Sequence, residues 1–361
     1  MSVIEIEMST YLSKKYAGLT PYTPGEQPKE RKYTKLNTNE SPFPPAEKAL
    51  NRIAEAAKSL QLYSDPECRR LTQMIADLYS VDYEEVICTN GSDEILNFAF
   101  MAFCDSDHPA VFPDITYGFY SVFAELNGVP YEKIPLGEDF SVNVEDYIGV
   151  GKTVFIANPN APTGICLPLC EIERIVASNP NTVVVVDEAY VDFGGESAIP
   201  LIKKYKNLLV TQTFSKSRSM AGARLGFGVG CRELVADINM IKYSTNPYNI
   251  NSMTMAAGIG VLESEDYTKA NCVEIIKNRE YTSKKLAELG FSMTNSMANF
   301  IFAKHESADG GEIYRALRER GVLVRHFDSP RISQYNRITV GSREQMDTLL
   351  EALADILEEK K

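Results

Sequence analysis

The sequence predicts an α/β protein: a large domain on a mainly parallel sheet with helices on both faces, followed by a smaller α+β domain. Two observations carry this. The runs HPAVFP, TVFIANPN, TVVVVDEAY and NLLVTQTFS are short, rich in β-branched and apolar residues, and each ends in polar or turn residues. Helical apolar spacing separates them, which is the pattern of crossovers between parallel strands. From Asn271 onward helices and strands alternate differently, as in a compact α+β unit.

In chain order, LTPYTPGEQPKERKYTKLNTNESPFPPA (19–46) is rich in Pro, Asn and Thr and reads as an extended arm. EKALNRIAEAAKSLQ and RRLTQMIADLYS follow as amphipathic helices. EEVICTNG reads as a strand entering a turn, and SDEILNFAFMAFC as a buried helix. The four strands named above come next. The helix NCVEIIKNREYTSKKLAELGF precedes strand ANFIFAKH, helix GGEIYRALRERG, strands VLVRHF and NRITVG, and a final helix. That last helix opens with Ser342 and Gln345, a capping-box pair. The expected division is an arm over 1–46, a large domain over 47–250 and a small domain over 251–361. The arm is expected to pack on the small domain or on a partner subunit.

Composition narrows the function. With 361 residues and 44% hydrophobic content the chain can bury a large core. Its formal charge of −12 argues against nucleic acid, which needs a basic face. No long apolar run suggests a membrane span, and no basic-then-apolar leader opens the sequence. The seven cysteines are odd in number and scattered, mostly among apolar neighbours. They are expected to be buried thiols in a reducing compartment, with the cytoplasm as the location, and no zinc spacing is present.

In a parallel sheet, ligands bind beyond the carboxyl ends of the strands. Lys216 follows NLLVTQTFS, and a lysine held away from water becomes a nucleophile toward aldehydes. Asp187 ends a run of four valines that can scarcely all be exposed. A lysine and an aspartate so placed are what pyridoxal phosphate requires, one for its aldehyde and one for its ring nitrogen. Asn90-Gly91-Ser92-Asp93 opens a buried helix, where free N–H groups favour an anion, although simple N-capping explains the motif equally well. Arg224, between Gly222 and Gly226, can supply the countercharge, and Ser215 a hydroxyl. Two decoys are rejected. Asp146 stands where a phosphate-binding loop ending in Gly151-Lys152-Thr153 needs glycine, and Cys231 breaks a dinucleotide fingerprint in GFGVGC.

NGSDE (90–94), NPNAPTG (158–164), VVVDEAYVDF (184–193), TFSKSRSMAGARLG (213–226) and VRHFDSP…YNRITVG (324–341) together resemble the histidinol-phosphate aminotransferases, of the aspartate-aminotransferase fold family. The likeness runs in the same order over nearly the whole chain. It implies a seven-stranded sheet, pyridoxal 5'-phosphate as cofactor, and a ping-pong exchange between L-histidinol phosphate and 2-oxoglutarate. By the same resemblance Lys216 forms the Schiff base and shuttles a proton, Asp187 keeps the pyridine nitrogen protonated, and Tyr190 bonds the phenolic oxygen. Tyr117 stacks on the ring. Gly91, Ser92, Asp93, Ser215 and Arg224 hold the phosphate, joined by Tyr63 of the partner subunit, so that a homodimer is implied. Arg337 and Arg325 bind the substrates' anionic groups, with Tyr22 and Asn39 close by; a structural ion pair is an equal reading for Arg325. One departure is plain: Ala161 stands where the family commonly has asparagine before Pro-Thr-Gly. Asn160 is expected to supply that amide, or Tyr190 to make the contact alone. Relatives with the same cofactor motifs transaminate aromatic amino acids or decarboxylate threonine phosphate. A non-catalytic cofactor-binding regulator is a further alternative, disfavoured by intact Lys216 and Asp187 and the lack of a basic DNA-binding segment.

Overall fold

The computed structural model describes residues 9–359; residues 1–8 of the expected arm and residues 360–361 lie outside this range. The first strand, β1 (Thr34–Lys35), belongs to the arm. Strands β2 (Val86–Thr89), β3 (Ala110–Pro113), β4 (Tyr131–Ile134), β5 (Thr153–Ala157), β6 (Val184–Asp187), β7 (Leu208–Thr213) and β8 (Gly226–Gly230) form one seven-stranded sheet in the order β2-β8-β7-β6-β5-β3-β4. Every pairing in it is parallel except those of β8, which runs against both neighbours.

The run of valines has a direct explanation. Side chains alternate between the faces of a strand, so a strand covered on both sides is apolar at every position. Val184 and Val186 enter the core on one face and Val185 the core on the other. Leu208 and Val210 against Leu209 repeat the pattern one strand away. Helices α1 (Glu47–Ala56) and α2 (Arg69–Tyr79) lie on the first face. The second is covered by α3 (Ser92–Phe103) and α4 (Phe119–Asn127), where Phe100 of α3 stacks on Phe155 at 4.1 Å. Helix α5 (Leu169–Ser178) returns to the first face and α6 (Arg232–Thr245) to the second. Burying one such leucine or phenylalanine is worth about 1.5–3 kcal/mol, so the two layers hold the strand ends rigidly.

Two expectations shift. Helix α7 (Ser252–Leu262) packs on α1 and α2, and its Ala257 and Val261 join the core of the first face. Packing therefore groups it with the large sheet rather than with the small domain expected to begin at residue 251. Cys170 is exposed and Cys166 only half-buried, although the remaining cysteines are buried as thiols.

The small unit opens with α8 (Glu265–Glu288) and contains β9 (Phe291–Met293), β10 (Phe300–His305), α9 (Gly310–Glu319), β11 (Val322–Leu323), β12 (Arg325–His326), β13 (Asn336–Thr339) and α10 (Arg343–Glu358). A four-stranded antiparallel sheet runs β12-β13-β10-β9. The expected strand VLVRHF divides in two: β12 pairs with β13, whereas β11 pairs in parallel with β1 of the arm. The arm is thereby tied to the small unit, with Leu36 N donating to Leu323 O and Thr339 N to Leu36 O. Ser342 and Gln345 cap α10 reciprocally, as the sequence predicts. Tyr190 and Phe193, from the large unit, pack into the small unit's core. Arg331 crosses the cleft to Asp114 beyond β3 at 3.0 Å. Among the described residues no helix is long and apolar enough to cross a membrane.

Candidate active site

The carboxyl ends of β5, β6 and β7 open onto a cavity of about 210 Å³. Lys216 and Asp187 both line it. Asp187 is the last residue of β6 and only 3% exposed. Burial pushes its carboxyl up to about 6, opposed by hydrogen bonds from the Tyr120 hydroxyl at 3.1 Å, the Ala189 N–H at 3.3 Å and the Thr211 hydroxyl at 3.4 Å. Among the described residues no cation pairs with this carboxylate, whose partners are all neutral, and a ligand N–H would relieve its desolvation. Lys216 follows β7; its Nζ donates to the Thr38 carbonyl at 3.3 Å and lies 5.7 Å from the centre of the Tyr190 ring. Among the described residues no carboxylate pairs with it.

An anion seat lies beside them. Helix α3 begins after Gly91, whose φ is +77° and which offers no side chain to cap the first turn. Arg224, itself in the left-handed region at φ 55°, reaches Asp93 at 2.8 Å and Ser215 at 3.3 Å. The approach is tight. A Cβ at Gly91 would come within 2.5 Å of Arg224 Nη2, and one at Gly226 within 2.4 Å of the Ser92 nitrogen. Glycine at both positions lets the guanidinium and the helix start converge. Asp93 spends its other oxygen on the Tyr117 hydroxyl at 2.6 Å. Burial, then the Asp93 charge, pushes that phenol well above its ordinary value. Tyr117 forms one wall of the cavity and meets Tyr120 edge-on at 5.8 Å.

A second chamber of about 350 Å³ shares Thr38, Tyr117, Ala161, Tyr190 and Lys216 with the first. Arg337, Arg325, Tyr22 and Asn39 line it. The Arg337 guanidinium donates to the Asn37 carbonyl at 3.2 Å and sits over the rings of Phe300 and Phe327 at 5.4 and 5.8 Å. Its buried Nε has no partner, and burial draws its pKa down from the ordinary value. Arg325 donates to the carbonyls of Thr23 at 3.3 Å and Pro24 at 3.5 Å, so the ion-pair reading for it finds no carboxylate among the described residues. Tyr22 stacks on Phe119 at 4.2 Å at the chamber's mouth.

Two expected residues are not brought to the cavity. Asn160 turns inward: its Oδ1 accepts from Thr116 at 2.8 Å and its Nδ2 donates to the Ile115 carbonyl and to Thr163, both at 3.0 Å. With its amide consumed in the turn, Asn160 does not supply the contact expected of it, and Ala161 is the residue that faces the cavity. Tyr63 is 83% exposed and stacks on Tyr248 at 4.6 Å, outside the cavity of its own chain. The sequence reading missed Tyr120 and the Asn37-Thr38 backbone. TYGFY did carry a signal for the former, since Tyr120 follows Tyr117 by three residues at the start of α4.

Residues 31–353 match the model of the family described as aminotransferase class I and II. The chain belongs to that family. This aminotransferase is 49% identical to a histidinol-phosphate aminotransferase of Aromatoleum aromaticum over 97% of its own length and 100% of that protein's. It is 46% identical to one of Brachyspira hyodysenteriae, covering 97% of this chain and 99% of the other. Among solved structures, the histidinol-phosphate aminotransferase of Clostridium acetobutylicum superposes with a TM-score of 0.83 at 25% identity, over 90% of this chain and 99% of that one. The enzyme of Sinorhizobium meliloti, solved with pyridoxal-5'-phosphate, gives 0.83 at 24% identity over 92% and 93%; at that identity it shows the shared fold.

Proposed function

We propose that this aminotransferase exchanges an amino group between L-histidinol phosphate and 2-oxoglutarate, giving imidazole acetol phosphate and L-glutamate, as a step of histidine biosynthesis. Pyridoxal 5'-phosphate fits the first cavity on three independent grounds. Among the described residues Lys216 Nζ has no ion pair, Asp187 is an under-compensated buried acid, and Gly91 and Gly226 let Arg224 and the start of α3 converge into an anion seat that a Cβ at either position would push apart. When bound, the cofactor supplies an aldehyde that captures the amine and a ring that takes up the electron pair released from the substrate carbon. Asp187 would accept the ring N–H and favour its protonated form. Tyr190 would donate to the phenolic oxygen, Tyr117 would wall the ring, and Ser92, Ser215 and Arg224 would hold the phosphate. Lys216 would serve as the general base and acid that moves the substrate proton.

The observation that carries the substrate reading is Arg337. A half-buried guanidinium with an unpaired Nε, facing a chamber that opens onto Lys216, is built to receive an anion. Its fork suits the carboxylate of glutamate and the phosphate of histidinol phosphate alike, so one chamber serves both halves of a ping-pong cycle. The identity to histidinol-phosphate aminotransferases supports the phosphorylated partner. Exposed Tyr63 supports a homodimer in which Tyr63 of the partner subunit completes the phosphate seat, and the cytoplasm is the proposed location. The test is a panel: purified holoenzyme with 2-oxoglutarate and histidinol phosphate, phenylalanine or threonine phosphate. We expect kcat/KM for histidinol phosphate to exceed the others by about a hundredfold, as befits a site that pairs a buried cation with its ligand. Phenylalanine as the best donor, or carbon dioxide released from threonine phosphate, would overturn the substrate reading.

A further inference from the structure

Three consecutive arm residues each touch a different side chain of the site. The Asn37 carbonyl holds Arg337, the Thr38 carbonyl holds Lys216, and the Asn39 amide reaches Tyr190. The third contact differs in kind, because it bears on a hydroxyl whose proton can point either way.

Asn39 is 1% exposed, and its φ of 55° lies in the left-handed region that asparagine accepts better than most residues. Its backbone N–H donates to Thr339 Oγ1 at 2.9 Å, and its carbonyl accepts from Asn299 at 2.9 Å. Thr339, having accepted from that N–H, turns its own proton onto Asn39 Oδ1 at 3.1 Å. This closed pair settles which end of the amide faces where, and leaves Nδ2 to donate to the Tyr190 hydroxyl at 3.0 Å. A hydroxyl that accepts on one side aims its proton away from the donor and becomes a stronger donor itself. Tyr190 lines both chambers, so a ligand in the cavity could receive that proton. The neighbouring wall offers no substitute, since Ala161 presents only a methyl and the Asn160 amide is turned inward.

We propose that Asn39 is a positioning residue, orienting the Tyr190 hydroxyl toward the cofactor's phenolic oxygen and doing by relay what an amide at position 161 would do directly. The idea rests on the cofactor assignment made above. A donor at the phenolic oxygen drains negative charge from it, so the neighbouring Nζ of Lys216, once joined to the cofactor, would hold its proton less firmly. Loosening the donor raises the pH at which that proton leaves.

The test is a pH titration of the visible absorbance of holoenzyme. Asn39→Gly keeps the backbone conformation and removes the amide; Asn39→Ser, too short to reach Tyr190 while still able to meet Thr339, guards against a folding failure. Both are expected to move the midpoint upward by about half a pH unit or more. The shift should vanish when Asn39→Gly is made in a Tyr190→Phe background. It should shrink when Ala161→Asn is added, which restores an amide from the facing position. An unmoved midpoint in both single variants, or a shift that persists without the Tyr190 hydroxyl, overturns the role of Asn39 while leaving the cofactor assignment intact. A wild-type protein that develops no visible band with pyridoxal 5'-phosphate overturns both.

Discussion

Asp187→Asn separates what the buried acid costs the fold from what it gives the reaction. The substitution is nearly isosteric, and the hydroxyls of Tyr120 and Thr211 can rotate to serve an amide as well as a carboxylate. Burial raises the carboxyl from 3.8 to about 6. Such a shift is worth about 3 kcal/mol against the charged form, at 1.36 kcal/mol per unit. The sign follows from linkage: an acid whose folded pKa is raised costs nothing below its unfolded value, and the penalty grows until pH passes the folded value. Cofactor-free Asp187→Asn is therefore expected to match wild type near pH 4 and to gain stability between pH 4 and 6. Above that it should remain more stable by up to about 3 kcal/mol. Urea unfolding of the cofactor-free proteins across that range measures the difference. The holoenzyme should show the opposite, with kcat reduced by a factor on the order of 10² or more as the ring nitrogen loses its counter-charge. A variant no more stable than wild type at pH 8 would refute the reasoning, because the carboxylate would then be compensated by groups other than the ligand.

Lys216→Ala should abolish the visible absorbance of the protein-bound cofactor, and a spectrum like that of wild type would remove Lys216 from its role. Arg337→Ala should raise KM for glutamate and for histidinol phosphate, each by roughly 10- to 150-fold for a lost charge-assisted contact of 1.5–3 kcal/mol; unchanged kinetics would make the arginine structural. Gly226→Ala places a Cβ within 2.4 Å of a backbone nitrogen, and a cost on the order of 1–3 kcal/mol in unfolding free energy is expected, together with weaker cofactor binding. Wild-type stability and affinity in that variant would mean that the strand can retreat from α3 freely.

The strands bearing the site were legible because burial on both faces leaves an unbroken apolar run with a polar residue at its end. Asp187 and Lys216 announced themselves in that way. Strand β8 was not legible: GFGVG lacks the side chains that mark a strand, and Gly226 and Gly228 leave room for Ser92 and Ile95 of α3 to press close. Asn160 misled for a related reason. Sequence places an amide one position from where it is wanted, but only the fold shows Thr116, Ile115 and Thr163 claiming it first. Asn39 could be assigned to the neighbourhood of the site, yet its partner Tyr190 is 151 positions away, and no local pattern encodes a contact of that span. The small unit's first boundary was blurred because α7, apolar nearly all round, gives no face by which to choose its neighbour.

Strand β8 runs opposite to its neighbours, so its beginning, not its end, stands at the rim where the ligand sits. Lys216 leaves β7 and Arg224 enters β8 through one short connection, so the two anchors proposed for the cofactor share a loop. On that proposal, remodelling the loop to loosen Arg224 also displaces Lys216. A shift in this hairpin moves both residues together, whereas Arg325 and Arg337 are carried by the small unit and meet the site through the arm.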